Sequence, residues 1–234
     1  MSSIIANVNA KRISIVQGDI VDFIDEVATE VKVSIYIDGM LVNIFSTSPY
    51  RLLELGLGYI LAHKFNILDE RYIRVQGTDI YIENVTKAFN ECKLKEENVK
   101  VPKDTVFQVF REILDKARLF RRTGCFHVAA IAKLSGDIID FVEDISRLCA
   151  FYKVIGGAYR KGVDLGKTFI VMSSRASSSI VEGIANVCIP IAVFRGAPTL
   201  NAIEVSNRFS ITLIAHMREG RANIYTKPER ILYA

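Results

Sequence analysis

The chain has 234 residues, of which 50% are hydrophobic, and its formal net charge is +4 at pH 7. This length allows one large or two modest domains, and no apolar run approaches the roughly 20 residues of a membrane helix, so we expect a soluble globular protein. No signal peptide is visible, which predicts the cytoplasm. The charge is mild and no dense basic run or aromatic-basic motif occurs, so we expect no nucleic-acid partner.

The first third of the chain predicts short strands around one helix. Residues 13–16 form a possible strand, and the acidic segment from 19 to 26 has the composition of a solvated edge. A strong hairpin signal follows, with alternation from Val31 to Ile37, a turn at Asp38-Gly39 and a second strand from Met40 to Phe45.

A helix is predicted from Ser48-Pro49 to about His63. The serine would cap it, and the proline would occupy the first turn, where no backbone donor is needed. Gly56 and Gly58 within this helix predict a close approach to another backbone. Beyond it, a further hairpin is expected around Gly77-Thr78.

The best domain boundary is the polar, charged stretch from residue 85 to 101. It divides the chain into an N-terminal β-hairpin and helix domain, residues 1–100, and a C-terminal α/β domain, residues 101–234. Cys92 lies in this stretch, where Lys93 and Lys95 would favour its thiolate form. The four cysteines of the chain never form a C-x-x-C pair, so neither a zinc site nor a thioredoxin-type dithiol is predicted.

A helix is predicted from Thr105 to Phe120, with Asp104 as its cap. The residues that end and follow it, 120–127, contain the highest density of chemically reactive side chains in the sequence. Cys125 and His127 could form a thiolate–imidazole pair, since residues two apart share a face on a strand. The alternative is a structural His127, hydrogen-bonded under the turn at Arg175.

A hairpin over residues 128–142 leads to Glu143 and Asp144, before a helix that runs to about Tyr159. These carboxylates could act as a general base or bind a magnesium ion, or they could form ion pairs with neighbouring arginines. No metal site is predicted.

Three buried strands are predicted at residues 168–172, 189–194 and 210–215, and helices are expected after the first two. Ligands in open α/β sheets bind at the carboxyl ends of strands. Here those ends offer small residues and four arginines: Arg175, Arg195, Arg218 and Arg221. The pattern predicts an α/β (α+β) fold with an anion site at these strand ends.

The motifs in order resemble the FdhD family of formate dehydrogenase accessory proteins over nearly the whole chain. The resemblance lies in Thr47-Ser-Pro49, in Phe120 to Ala130 against F-x-x-T-G-G-x-H-x-A-A, in Glu143-Asp144 with Lys153 to Gly156, in Ser174 to Ser177, in Ala197-Pro-Thr199, and in Arg218 to Thr226.

The resemblance implies a three-layer, cytidine deaminase-like C-terminal domain and a homodimer. It implies a sulfur carrier, which passes persulfide sulfur from a cysteine desulfurase to the molybdenum cofactor in its bis-molybdopterin guanine dinucleotide form. The client would be formate dehydrogenase or a related molybdenum or tungsten oxidoreductase. Deaminase activity is not expected, because the H-x-E and P-C-x-x-C motifs are missing.

The residues that the resemblance assigns fall into two sets. Sulfur chemistry falls on Cys92, with Cys125 and His127 as the alternative. The cofactor-binding set is Ser174, Arg175, Ala197, Pro198, Thr199, His216, Met217, Arg218, Glu219, Gly220 and Arg221.

The chain departs from the family pattern at its cysteines. The family's C-G-x-C-G loop is represented only by Cys92, which has no neighbouring thiol to resolve a persulfide. The family's G-R-H-N reads Ser146-Arg-Leu-Cys149, and the second glycine of T-G-G reads Cys125. A second hypothesis therefore stays open: a non-catalytic module that binds the molybdopterin dinucleotide or a guanine nucleotide as a chaperone of an oxidoreductase.

Overall fold

The computed structural model describes residues 3–16, 18–67, 69–87 and 99–233. Its N-terminal half consists of short strands around one helix. The elements are β1 (Ile5–Ile13), β2 (Ile20–Ala28), β3 (Val31–Ile37), β4 (Met40–Thr47), α1 (Leu52–Ala62), β5 (Phe65–Ile67), β6 (Ile73–Gln76), β7 (Asp79–Ile82) and β8 (Val85–Lys87).

The C-terminal half alternates helices with the strands of a larger sheet. Its elements are β9 (Val101–Pro102), α2 (Lys103–Lys116), α3 (Arg118–Thr123), β10 (His127–Lys133), β11 (Ile138–Asp144), α4 (Arg147–Arg160), β12 (Thr168–Met172), α5 (Ser178–Asn186), β13 (Ile191–Phe194), α6 (Leu200–Arg208), β14 (Thr212–Arg218), β15 (Arg221–Ile224) and β16 (Ile231–Leu232).

The N-terminal strands form a four-stranded sheet in the order β4-β3-β7-β6, and β1 and β2 form a separate two-stranded ribbon. The predicted hairpin of β3 and β4 is confirmed, with Asp38 and Gly39 at positive φ in its turn. The strand predicted over residues 13–16 is wrong, because residues 14–16 lie outside any strand. The acidic segment belongs largely to β2, and Asp19, Asp22 and Asp25 are exposed, as expected of a solvated edge.

The central sheet has the order β11-β10-β12-β13-β14-β15, in which β12, β13 and β14 are parallel. Alternate residues of β10 enter two cores, because successive side chains of a strand point to opposite faces. Ala129 and Ile131 pack with α1, α4 and α5, whereas Val128 and Ala130 pack with α2. Helices therefore cover both faces, and the predicted α/β class is confirmed. The cytidine deaminase-like relationship stays a prediction.

Helices α1 and α4 cross at glycines, as Gly56 and Gly58 predicted. A Cβ atom on Gly58 would lie 1.8 Å from the backbone oxygen of Tyr152, and one on Gly156 would lie 2.2 Å from that of Glu54. Only residues without a side chain allow the two backbones this close. One apolar core thus contains residues from both halves, while the division at residue 100 stays a prediction.

Two helix starts differ from expectation. Helix α1 begins at Leu52 after Arg51, which is in the left-handed conformation, so Ser48 does not cap it. Instead Ser48 is buried, and its carbonyl oxygen accepts a hydrogen bond from Lys153.

The helix predicted from residue 105 to 120 breaks at Ala117, which is buried and leaves helical geometry. Asp104 lies inside α2 rather than at its cap, and α3 restarts at Arg118. No helix in the described residues is both long and apolar enough to cross a membrane.

Candidate functional site at the strand ends

The carboxyl ends of β12, β13 and β14 are joined by backbone hydrogen bonds. The Gly196 N–H donates to the Ser174 carbonyl at 3.0 Å, and the His216 N–H donates to the Gly196 carbonyl at 3.0 Å. A Cβ atom on Gly196 would lie 2.8 Å from the Cα of Arg175, so a glycine is needed where these turns meet. The three strand ends predicted to form one site are therefore adjacent.

The segment Ala197-Pro198-Thr199 lies directly beside the Arg175 turn. The Ala176 N–H donates to the Ala197 carbonyl at 3.1 Å, and the Thr199 N–H donates to the Ala176 carbonyl at 3.0 Å. Thr199 also caps α6, since its Oγ1 accepts from the Ala202 N–H at 3.2 Å. The turns after β12 and β13 are thus bound together.

The hairpin from His216 to Arg221 completes the site. His216 is exposed and has a φ of 53°, at a bulge between β14 and β15, whereas Met217 is fully buried. A guanidinium nitrogen of Arg218 donates to the carbonyls of Arg195, at 2.6 Å, and Met217, at 2.8 Å. This side chain therefore fastens the hairpin to the end of β13.

A cavity of about 200 Å³ opens on this hairpin. It is lined by His216, Arg218, Arg221 and Asn223. Arg221 pairs with Arg218 across the two strands, and its guanidinium makes no hydrogen bond or ion pair within the described part of the chain. Glu219 and Gly220 form the exposed turn between them. Arginine forks match the geometry of phosphate oxygens, so the cavity suits an anionic group.

His127 lies at the start of β10, next to the Arg175 turn. Its neighbour Val128 exchanges hydrogen bonds with Ser173, donating to the serine hydroxyl at 2.8 Å and accepting from the serine N–H at 2.9 Å. Burial lowers the pKa of His127, and Arg147 and Arg175 act in the same direction, while Asp144 opposes them. The folded protein therefore favours the neutral form of His127, and Arg147 and Arg175 are among the charges that act on it.

Cys125 is exposed and precedes β10. It lines a different cavity, of about 450 Å³, together with Phe45, Ser46 and Ser146. No hydrogen bond joins it to His127 among the described residues, so the proposed thiolate–imidazole pair stays a prediction. Cys92 lies outside the described residues.

Asp144 and Lys153 form a buried ion pair at the junction of the two halves, and the pairing of the carboxylates with arginines is wrong. Lys153 Nζ lies 2.5 Å from Asp144 Oδ2 and donates at 3.0 Å to Thr47 Oγ1. The Thr47 hydroxyl donates to the same carboxylate at 2.9 Å. Burial lowers the pKa of Lys153, although Asp144 acts to raise it. Asp144 therefore has a structural partner inside the protein.

The carboxylate of Glu143 likewise has no arginine partner, and it accepts hydrogen bonds from backbone N–H groups instead. Its two carboxylate oxygens accept from the N–H groups of Leu119 and Phe120 at 3.1 and 2.8 Å, which are orphan donors in the first turn of α3. Sequence reasoning missed this use of Glu143 and the role of Thr47. The only signal was the presence of Thr47, Asp144 and Lys153 together in the family motifs.

Comparisons with known proteins agree with these motifs. Residues 69–232 match the model of the FdhD/NarQ family. The sulfur carrier protein FdhD of Methanothermobacter thermautotrophicus is 28% identical over 89% of this chain and 92% of its own length. Protein FdhD of Methanocaldococcus jannaschii is 34% identical over 89% of this chain and 91% of its own length.

A solved structure shows the same fold. It is described as a formate dehydrogenase accessory protein from Desulfotalea psychrophila, with a TM-score of 0.81 and 22% identity, and the match covers 98% of this chain and all of that one. Because the family model matches residues 69–232, more than half of the chain, and a relative with 34% identity is covered over 91% of its length, the chain belongs to the FdhD/NarQ family.

Proposed function

We propose that this protein is a sulfur carrier that passes persulfide sulfur from a cysteine desulfurase to the molybdenum cofactor needed for formate dehydrogenase activity. The relatives described above carry the names of sulfur carrier and accessory protein. The observation that carries the proposal for this chain is the meeting of three strand ends with four exposed arginines. The cofactor in its guanine dinucleotide form is a substrate with several phosphate charges, which that surface would attract.

The residues present fit such a substrate. Arg218 and Arg221 flank a cavity next to an exposed imidazole, and the close packing at Gly196 brings backbone groups of two turns to the same surface. Arg175 and Arg195 are exposed at the ends of the neighbouring strands. In this proposal the phosphates lie over the strand ends, and the guanine end lies toward the His216–Arg221 hairpin.

Sulfur loading is a thiol–persulfide exchange. The Cys92 thiolate attacks the outer sulfur of the desulfurase persulfide, a new S–S bond forms on Cys92, and the desulfurase cysteine leaves as its thiolate with the electron pair of the broken S–S bond. No external oxidant is needed, because the transferred sulfur already has the sulfane oxidation state. Cys125 is the alternative acceptor, since it is exposed.

Cys149 is unsuited to this step. It is fully buried, and burial raises the pKa of its thiol to about 11, with the Asp144 carboxylate acting in the same direction. The nucleophile in exchange is the thiolate, so this cysteine is inert at neutral pH.

A second function has one observation in its favour. The family's paired-cysteine loop is represented in this sequence by Cys92 alone, so the loop itself contains no second thiol that could resolve a persulfide. The protein would then bind the molybdopterin dinucleotide, or a guanine nucleotide, and deliver it to an oxidoreductase without carrying sulfur.

Intact-protein mass spectrometry separates these functions. The protein is incubated with a cysteine desulfurase and cysteine, and the modified peptide is mapped. We expect one added sulfur on Cys92, absent in Cys92→Ala and retained in Cys125→Ala. If loading survives Cys92→Ala but is lost in Cys125→Ala, the sulfur acceptor is Cys125. If no cysteine gains sulfur while a control acceptor protein is loaded, the second function is supported, in which the protein binds the dinucleotide without carrying sulfur.

Calorimetric titration with GDP tests the cofactor site. Arg221→Ala removes a guanidinium with no partner in the described structure, so the fold should be unaffected. The loss of a charge-assisted hydrogen bond, about 1 to 3 kcal/mol, predicts affinity weaker by about 5- to 150-fold. The matched control is Arg208→Ala, an exposed arginine at the end of α6. Equal affinity in the Arg221 variant and the wild type would contradict this site.

A further inference from the structure

The cavity of about 450 Å³ that contains Cys125 is lined by residues from both halves of the chain. Its size is within the range of about 300–1,000 Å³ for small-molecule sites. The N-terminal half lines it with Glu30, Phe45 and Ser46, and the C-terminal half with Cys125 and Ser146. The cavity therefore joins the loop after β2 and the strand β4 to the residues that precede β10 and follow β11.

The apolar wall of this cavity is held in place. Phe45 is buried, and its ring packs edge-on against Tyr59 and Tyr152 at centroid distances of 5.9 and 5.8 Å. Ile44 and Ile145 add aliphatic surface. A fixed aromatic ring beside aliphatic side chains is a surface against which a flat heteroaromatic ring packs well.

Glu30 supplies the cavity with a carboxylate. This carboxylate makes no hydrogen bond or ion pair with any of the described residues, and neither does the side chain of Ser46. An ionised carboxylate offers two oxygens side by side and can only accept hydrogen bonds. It matches a ring edge that carries two neighbouring N–H donors, and such charge-assisted pairs are the stronger hydrogen bonds.

The cavity adjoins the cationic strand ends. Cys125 is two residues before His127, the first residue of β10, and Ser146 is next to Arg147, the first residue of α4. Arg147 and Arg175 both act electrostatically on His127. The guanidinium of Arg147 has no hydrogen bond or ion pair within the described ranges. Positive charge thus continues from the Arg175 turn to the edge of the cavity.

These charges decide which part of a nucleotide the cavity can bind. The Glu30 carboxylate repels phosphate groups, whereas the arginines at the strand ends attract them. The cavity therefore suits an uncharged ring whose phosphate-bearing tail lies toward Arg175. Four strand spacings, about 19 Å, separate β10 from β15, so this ring is not the one that binds at the hairpin of Arg221.

We propose that the cavity binds the pterin ring of the molybdopterin dinucleotide. Glu30 accepts the ring N–H and the amino N–H of its 2-amino-4-oxopyrimidine edge, and the ring packs against Phe45. The inference rests on the proposed function, because it gives the second ring of the same substrate a place at the opposite end from the guanine. Cys125 lines the same cavity, so a bound ring covers its thiol.

Fluorescence anisotropy with 6-hydroxymethylpterin tests this assignment, since this ring is fluorescent and has no phosphate. The chain contains no tryptophan whose emission would interfere. We expect binding by the wild type and an affinity about 10-fold or more weaker in Glu30→Gln, which exchanges one acceptor oxygen for a donor. Glu182→Gln, at an exposed glutamate on α5, should bind as the wild type does. Thermal unfolding shows that each variant is folded.

Two further measurements identify the ring and its position. The analogue 6-hydroxymethyllumazine, in which an oxygen replaces the amino group, should bind more weakly than the pterin. Saturating pterin should slow the labelling of Cys125 by iodoacetamide. Guanine has the same hydrogen-bonding edge as pterin. If guanosine binds more tightly than the pterin and GDP affinity is lost in Glu30→Gln, the guanine end occupies the cavity and the pterin assignment is overturned.

The proposal would also be overturned by a wild type that binds no pterin at millimolar concentration, by equal affinities in Glu30→Gln and the wild type, by equal affinities for pterin and lumazine, or by unchanged labelling of Cys125. This outcome is separate from that of the proposed function. Loss of the pterin site with sulfur loading and GDP binding intact would contradict only the pterin assignment. Pterin binding by a chain that accepts no sulfur would contradict only the sulfur carrier.

Discussion

Lys153 Nζ lies 2.5 Å from Asp144 Oδ2, and neither side chain is exposed to solvent. The pair is held by groups far away in sequence, because Thr47 binds both partners and the Ser48 carbonyl accepts from the lysine. Burying two charges costs several kcal/mol each, and their mutual attraction offsets that cost only where surrounding hydrogen bonds satisfy both groups. The pair thus ties the end of β4 to the end of β11 and to the middle of α4.

Removing one charge of this pair should destabilise the protein strongly. Lys153→Met leaves Asp144 buried without its cation, for which we expect a loss of about 3 to 5 kcal/mol in the free energy of unfolding in urea. Lys167→Met is the control, since that lysine is 80% exposed and 3.5 Å from Asp164. Its loss should stay within about 0.5 kcal/mol. Similar values for the two variants would contradict the buried pair.

A methyl group at the helix crossing should also be costly. Gly58→Ala places a carbon where the Tyr152 oxygen lies, so α1 and α4 must separate, at a cost of about 1 to 3 kcal/mol or more. The control is Gly166→Ala, where the nearest atom to a Cβ is a side-chain oxygen at 3.2 Å. Thermal unfolding of both variants measures the difference, and an unchanged midpoint for Gly58→Ala would show that the helices do not meet there.

Much of this fold could be predicted from local patterns. Residues 31–45 contain alternating apolar and polar residues around an Asp-Gly turn, and the hairpin predicted there is correct. The continuous apolar run of residues 168–172 predicts a buried strand, which is also correct. The failures came from long-range contacts. Ser48 has the local chemistry of a helix cap, but Lys153 binds its carbonyl from another helix, and Ala117 leaves α2 inside a core that no local pattern shows.

The stability of the protein should fall as the pH drops through the range of histidine titration. The pKa of His127 is lowered in the folded state, mainly by burial, so the unfolded chain binds this proton more readily. Stability is then fully present above the ordinary pKa of about 6.5 and is lost below it. Melting temperatures at pH 7.5 and 5.5 measure this loss, which should be smaller in His127→Gln. An equal loss in both proteins would assign the effect to other groups.

The cysteines should differ in their reactivity toward iodoacetamide under native, reducing conditions. Cys125 is exposed, whereas Cys149 is fully buried and the pKa of its thiol is raised to about 11. Peptide mapping should show rapid labelling of Cys125 and labelling of Cys149 only after unfolding in urea. Native labelling of Cys149 at a comparable rate would mean that the junction opens readily.

The candidate site was predictable to the extent that it depends on chain order. Arg175 and Arg195 each follow a buried strand, Arg218 is the last residue of another, and parallel strands place such residues at one edge of the sheet. What could not be predicted was the use of Arg218 to bind the Arg195 carbonyl, or the separation of Cys125 into another cavity, because both depend on the bulge and turns that orient the side chains.

The glycine crossing of α1 and α4 also has a consequence for synthesis of the chain. Leu55, Leu57 and Ile60 of α1 share a core with Phe151, Val154 and Ile155 of α4, about 100 residues later. A nascent chain that has passed residue 62 therefore displays an apolar helix whose partner is still to be translated. At about 5 to 20 residues per second, translation of the roughly 100 residues up to the end of α4 takes about 5 to 20 seconds. We expect the first half to depend on ribosome-associated chaperones until α4 emerges.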